Sequence, residues 1–198
     1  MKTKEKIIQA AKSVFHQKGF DGARMQEIAD QCGINKALLH YHFKNKETLF
    51  RAVFLGAMVE IFPAILHMLN EERPLRDKIP NVVSLYINKI ADNPQLPRFV
   101  LNELSQNPQV ILETIQAIDV KPTRFIEQVN REVELGNLEH TEPFQIISDI
   151  ISLCAFPFIA KPMLQLLSGM NEADFKRFIE NRKAHVSELL IRGLFVNN

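Results

Sequence analysis

The chain has 198 residues, enough for one or two domains with a sizeable core. Hydrophobic residues make up 46% and charged residues 24%, which excludes wholesale disorder. The net charge is only +1, so the chain as a whole is no polycation. Its distribution is uneven: residues 1–50 hold nine Lys/Arg against five Asp/Glu, and the rest hold fifteen against eighteen. A basic first quarter on a mildly acidic body points to a polyanionic partner at one end.

Two cysteines, Cys32 and Cys154, make neither a disulfide framework nor a zinc pattern. Reduced thiols in a cytoplasm are expected. The first residues, Met1 to Lys6, lead into an amphipathic pattern rather than a signal peptide. The most apolar stretch, Ile150 to Ala160, is bounded by Asp149 and Lys161 and falls short of the ~20 residues a membrane span takes. A cytoplasmic protein without a membrane partner is expected.

Taken in chain order, helical periodicity dominates. Ile7, Ile8, Ala11, Val14 and Phe15 share one stripe of a first helix, which Gly19 ends. A short helix follows from Met25 to Gln31, stopped by Gly33. Asp21 is a candidate cap for it. Asn35 suits the cap of a second short helix, Lys36 to His42, and Asn45 that of a long one through Leu49, Val53, Met58 and Phe62. All ten prolines lie between Pro63 and Pro162, so the middle is expected to form shorter or bent helices near 75–92, 94–106, 108–118 and 122–135. A long helix from about Pro143 to Leu167 should bend near Pro157 and Pro162 and break at Gly169, before a last helix over about Glu172–Leu194. No run alternates with a period of two. The expected class is all-α.

The last two helices are unusually apolar. The penultimate one is greasy nearly all round from Ile150 to Ile159, and the final one carries Phe175, Phe178, Ile179, Val186, Leu189, Leu190 and Leu194. Helices of this kind need neighbours on several sides, and a second copy of the chain is a candidate for one of them. The interface residues expected on these helices are Ile147, Ile151, Phe158, Phe178, Arg182, Val186, Leu189 and Leu190.

Met25 to Phe43 reads as helix, glycine, apolar residue, capping Asn, helix, which is helix-turn-helix spacing. Ile28, Ala29, Ile34, Leu39 and Phe43 face inward. Lys36, Ala37, Leu38, His40, Tyr41 and His42 are left for the outer faces. Small residues allow a close backbone approach to a major groove, and polar or aromatic ones reach base edges and phosphates. Lys44 and Lys46 follow at the start of the long helix, where ammonium groups and the helix dipole both favour phosphate.

Residues 19–50, GFDGARMQEIADQCGINKALLHYHFKNKETLF, resemble the DNA-binding module of the TetR family of bacterial transcriptional regulators. The resemblance is carried by Gly19-Phe20, Ile28-Ala29, Gly33, Asn35-Lys36, Leu39, Tyr41, Phe43 and Lys46-Glu47. The run FKRFIENRKAHVSELLIRGL also resembles the family's last helix. The chain departs from the family pattern at Arg24 and Met25, where a Thr pair is common, at Leu38, where a small polar residue is common, and at His40, where a Tyr stands.

The resemblance implies a three-helix DNA-binding domain over 1–46 and a helical bundle for ligand binding and dimerisation over 47–198. It implies a homodimer on double-stranded palindromic DNA, with Arg24, Gln26, Lys36, Ala37, Leu38, His40, Tyr41, His42, Lys44 and Lys46 as the contacts. The bundle is expected to enclose a pocket for a small hydrophobic or amphipathic effector that releases the protein from DNA, as in a repressor. Phe54, Met58, Phe62, Tyr86, Phe99, Phe125, Phe156 and Met163 are its candidate lining. No cofactor is expected. No metal is expected either, because His40 and His42 point to different faces without further ligands. Two other readings are a ligand-binding helical dimer whose DNA module no longer reads DNA, and a small helical enzyme, although no catalytic motif appears.

Overall fold

A computed structural model of the chain describes residues 3–106, 108–118 and 121–196. Among the described residues there are eleven helices and no strand. They are α1 (Thr3–Gly22), α2 (Met25–Cys32), α3 (Lys36–His42), α4 (Lys46–Leu69), α5 (Leu75–Asp92), α6 (Leu96–Gln106), α7 (Pro108–Gln116), α8 (Thr123–Glu134), α9 (Pro143–Ile159), α10 (Lys161–Ser168) and α11 (Glu172–Leu194). The chain divides into two compact units. One holds the described residues up to Glu60 together with Asn93–Thr114, and the other holds Ile61–Asp92 and the chain from Ile115 onward. These packing units are drawn differently from the expected functional boundary at 46/47: α4 runs through both, and α6 and most of α7 pack with the first.

In the first unit, α1 packs on α2 and α2 on α3. Ile7, Ala11, Val14 and Phe15 of α1, Ile28 and Ala29 of α2, Leu39 and Phe43, and Leu49, Val53 and Phe54 of α4 are all buried. A run of rings fixes α1, α4 and α6 against one another. Phe50 meets Phe15, Phe20 and Phe54 at centroid distances of 5.0, 4.8 and 4.3 Å, and Phe54 stacks on Phe99 at 4.9 Å. Such pairs add to the stabilisation from area burial alone. Gly19 has φ 67°, and this left-handed residue breaks the end of α1 as the sequence predicts.

The second unit packs α5 against α11 and α9, with α8 on α9. Phe125, Val129, Ile146, Cys154, Val186 and the α5 residues Val82, Val83 and Ile87 form its core. The Lys78 ammonium is buried in this unit. It donates to the Leu69 carbonyl at 2.8 Å and to Gln128 Oε1 at 2.6 Å, so the end of α4, α5 and α8 share one cation. Burial holds its pKa below the ordinary lysine value, with Glu71 acting the other way.

Two expectations are corrected here. The penultimate helix is not one bent rod: it stops at Ala160, and α10 leaves at 67° to α9. Pro162 supplies no N–H to the α9 ladder and its ring crowds the preceding turn, so the helix restarts there. Pro157, by contrast, is accommodated inside α9. The expectation that no apolar segment reaches the length of a membrane span is also corrected, since α4, with 24 residues, is long and apolar enough to cross a membrane by length and composition. Its apolar residues Leu49, Val53, Phe54, Ala57 and Met58 are instead buried in the protein, and Arg51 and Glu60 interrupt it.

Candidate nucleic-acid interface

The geometry of the motif follows from its punctuation. Gly33 adopts φ 68°, ψ 32° and returns its N–H to the carbonyls of Ala29 and Asp30, which ends α2 within one residue. The Ile34 N–H also donates to the Ala29 carbonyl, at 3.0 Å. Asn35 Oδ1 then accepts the Leu38 N–H at 2.8 Å and starts α3. Asn45 does the same for α4, accepting the Thr48 N–H and hydroxyl at 2.8 Å each. The start of α2 departs from expectation. Arg24 occupies the cap position, and no side chain caps the helix, so Asp21 does not serve.

α3 is anchored by Leu39 and Phe43, both buried, and it turns the rest of its surface outward. Lys36, Ala37, Leu38 and His40 are exposed, Tyr41 is 82% exposed, and His42 is half-buried with its ring edge-on to Tyr41. His40 Nδ1 lies 3.0 Å from the Lys44 carbonyl. A carbonyl only accepts, so Nδ1 carries the proton and Nε2 is left facing outward as an acceptor in the neutral ring. Arg24 and Lys44 are exposed as well, and Arg24, Lys36 and Lys44 have no ion-pair partner among the described residues. Gln26 is exposed and donates within its own helix to Asp30 Oδ1 at 2.7 Å. A short helix presenting small, aromatic and cationic side chains, flanked by unpaired cations, can enter a groove of duplex DNA and neutralise its phosphates.

Lys46 stands apart from this group. Its half-buried ammonium donates to the carbonyls of Phe20 at 2.8 Å and Ala23 at 3.2 Å and sits 4.4 Å from the centre of the Phe20 ring. It therefore caps the end of α1 from inside the protein rather than standing free. No local signal in the sequence gives this role, because the carbonyls it meets, which lack intrahelical partners at the end of α1, lie 26 and 23 residues earlier.

The ligand-pocket residues expected from the sequence are divided between the two units. Phe54, Met58 and Phe99 belong to the ring core of the first unit. In the second unit, Phe125 is buried in the core, Phe62 and Tyr86 are half-buried, and Phe156 and Met163 are exposed. The Tyr86 hydroxyl and the Cys154 thiol are each pushed up to about 12, mainly by burial, so both are neutral at ordinary pH. The expected dimer residues also divide. Ile151 and Leu189 are exposed, and Ile147, Phe158, Phe178 and Arg182 are half-buried along one strip of α9 and α11. Val186 and Leu190 instead point into the core of their own unit and cannot line an interface. Arg182 Nε donates to the Leu153 carbonyl at 2.8 Å and so ties the two helices together.

One pair escaped the sequence reading. Arg51 of α4 meets the buried carboxylate of Glu103 in α6 at 2.9 Å, within the first unit. The signal was the spacing Leu96, Phe99, Glu103: a charge on the apolar face of an amphipathic helix needs a partner.

These features define a helix-turn-helix DNA-binding head followed by a helical body. Residues 7–53 match the family described as "Bacterial regulatory proteins, tetR family". The regulator RutR of Escherichia coli K12 is 26% identical over 199 residues, covering 96% of this chain and 90% of that protein. The transcriptional repressor BdcR of the same organism is 34% identical over 92 residues, 45% of each chain. Among solved structures, a transcriptional regulator from Saccharomonospora viridis in complex with choline superposes with a TM-score of 0.72 at 16% identity, over 98% of both chains. The N-terminal head is therefore similar to that of the TetR family of bacterial transcriptional regulators, and the chain over most of its length is similar to regulators that carry such a head.

Proposed function

We propose that the protein is a ligand-responsive repressor that binds a palindromic operator as a homodimer and leaves it when a small hydrophobic or amphipathic effector binds. The observation that carries this reading is the anchored α3, with Leu39 and Phe43 inside and Lys36, Ala37, Leu38, His40 and Tyr41 outside. Arg24, Gln26 and Lys44, with His42 at the end of α3, are the further candidates for phosphate and base contact. In the dimer, two copies of α3 would occupy successive major grooves about 34–36 Å apart. The exposed strip of Ile151 and Leu189, with Ile147, Phe158, Phe178 and Arg182, is the surface offered for pairing. Repression is supported by the relative named as a repressor, and a small-molecule effector by the structural relative that holds choline.

An effector acts by binding one arrangement of the two heads better than another, and a differential of a few kcal/mol is enough to release DNA. The surroundings are taken to be cytoplasmic, where the duplex is. Selection of bound duplexes from random DNA by the purified protein tests this reading. A palindromic consensus whose affinity falls steeply with salt is expected. Failure to bind any duplex at low ionic strength overturns it and favours a dimer that binds only small ligands.

A further inference from the structure

We propose that α10 is an inter-subunit arm, whose exposed leucines Leu166 and Leu167 lie against the second copy of the chain. This rests on the dimer reading above and adds a third element to its interface. None of the eight residues of α10 is buried in its own subunit, and Leu166 and Leu167 are 83% and 76% exposed, with Met163 beside them. An isolated helix this short does not hold itself together in water. This one is held from outside. Lys161 Nζ meets Glu172 Oε2 at 2.7 Å, Gln165 Nε2 donates to Glu172 Oε1 at 3.1 Å, and the Lys161 ammonium stands 5.0 Å from the Phe175 ring. Gly169, in a left-handed conformation, closes its end. The polar side of α10 is thus fastened to α11 while its apolar side stays exposed among the described residues.

Position and area say what covers that side. α10 joins α9 to α11, so it stands at the end of the exposed strip where Phe158 and Phe178 flank Phe175. At about 200 Å² for a full large side chain, the strip leaves roughly 400 Å² of apolar surface, short of the ~500 Å² apolar share of a standard homodimer face. Met163, Leu166 and Leu167 bring the total to roughly 800 Å² on the same scale. A lipid surface suits α10 less well, because its single cation, Lys161, is already paired with Glu172.

The test is the oligomeric state of Leu166→Ser/Leu167→Ser across a dilution series by sedimentation velocity, with Leu135→Ser, a 65% exposed leucine just past the end of α8, as the control. Helical content unchanged by circular dichroism is expected, together with dimerisation weakened on the order of 100-fold or more and a control that behaves as wild type. A double variant that dimerises like wild type overturns the arm and leaves the dimer standing. A wild-type protein that is monomeric throughout overturns the dimer and the arm together. Loss of binding to anionic vesicles with unchanged dimerisation would assign α10 to lipid and overturn the arm. If the double variant loses helical content, Leu166→Ser alone decides by the same readings.

Discussion

Replacing Lys46 separates an internal role from a DNA contact. In Lys46→Met the aliphatic stem remains over Phe20, but the ammonium that serves the Phe20 and Ala23 carbonyls is gone. Two charge-assisted bonds contribute at least about 1.5 kcal/mol each, and the cation over the ring about 0.5. Half-exposure of the side chain screens part of this, so a loss of about 2 kcal/mol is expected. In a chain of this size that lowers the melting midpoint by roughly 4–8 °C. Thermal unfolding followed by circular dichroism reads it directly. The salt dependence of binding to a selected duplex gives the second coordinate, since each lost phosphate contact flattens the slope by about 0.9. A midpoint within about 1 °C of wild type, together with a slope flatter by about two units for the dimer, would refute the internal role and return Lys46 to the phosphates.

Lys36→Ala removes an exposed charge with no internal partner, so it should leave the midpoint unchanged and flatten the salt slope by about 0.9 per subunit; an unchanged slope removes Lys36 from the contact set. Val186→Glu places a carboxylate in the core of the second unit and should cost several kcal/mol and unfold the chain, whereas Leu189→Glu, on a side chain 49% exposed, should stay folded and split the dimer. Circular dichroism with light scattering distinguishes these outcomes, and a folded Val186→Glu monomer would show that the inward assignment is wrong. The Cys154 thiol, held near 12 against an ordinary value near 9, favours the folded state fully below pH 9. That contribution should be lost as pH rises from 9 to about 12, because the unfolded chain ionises first, so Cys154→Ala should lose less stability across this window than wild type. Equal losses would show that the thiol is not shielded.

The head was legible because its signals are local. Gly33 must be left-handed, Asn35 and Asn45 have oxygens at capping distance, and Leu39 with Phe43 make one turn of an anchor, so spacing alone located α2, α3 and the start of α4. The same local rules placed α5 and α11 within a residue or two. They could not say which of several apolar stripes faces inward. Val186 and Leu190 look like Leu189 in a helical repeat, but only α5 and α9 packing on α11 sends the first two inside and the third out.

Partners distant in sequence were likewise invisible. Lys46 reaches carbonyls 23 and 26 residues earlier, and Glu103 meets Arg51 across 52 residues. The sequence by itself determined where most helices begin and end, the break between α9 and α10 excepted, since caps, glycines and periodicity act within a turn. Tertiary structure alone decided which faces are buried, that Lys46 serves α1, and that α10 turns away from α9. Those outcomes depend on which surfaces meet after the helices exist, and no short-range pattern encodes that.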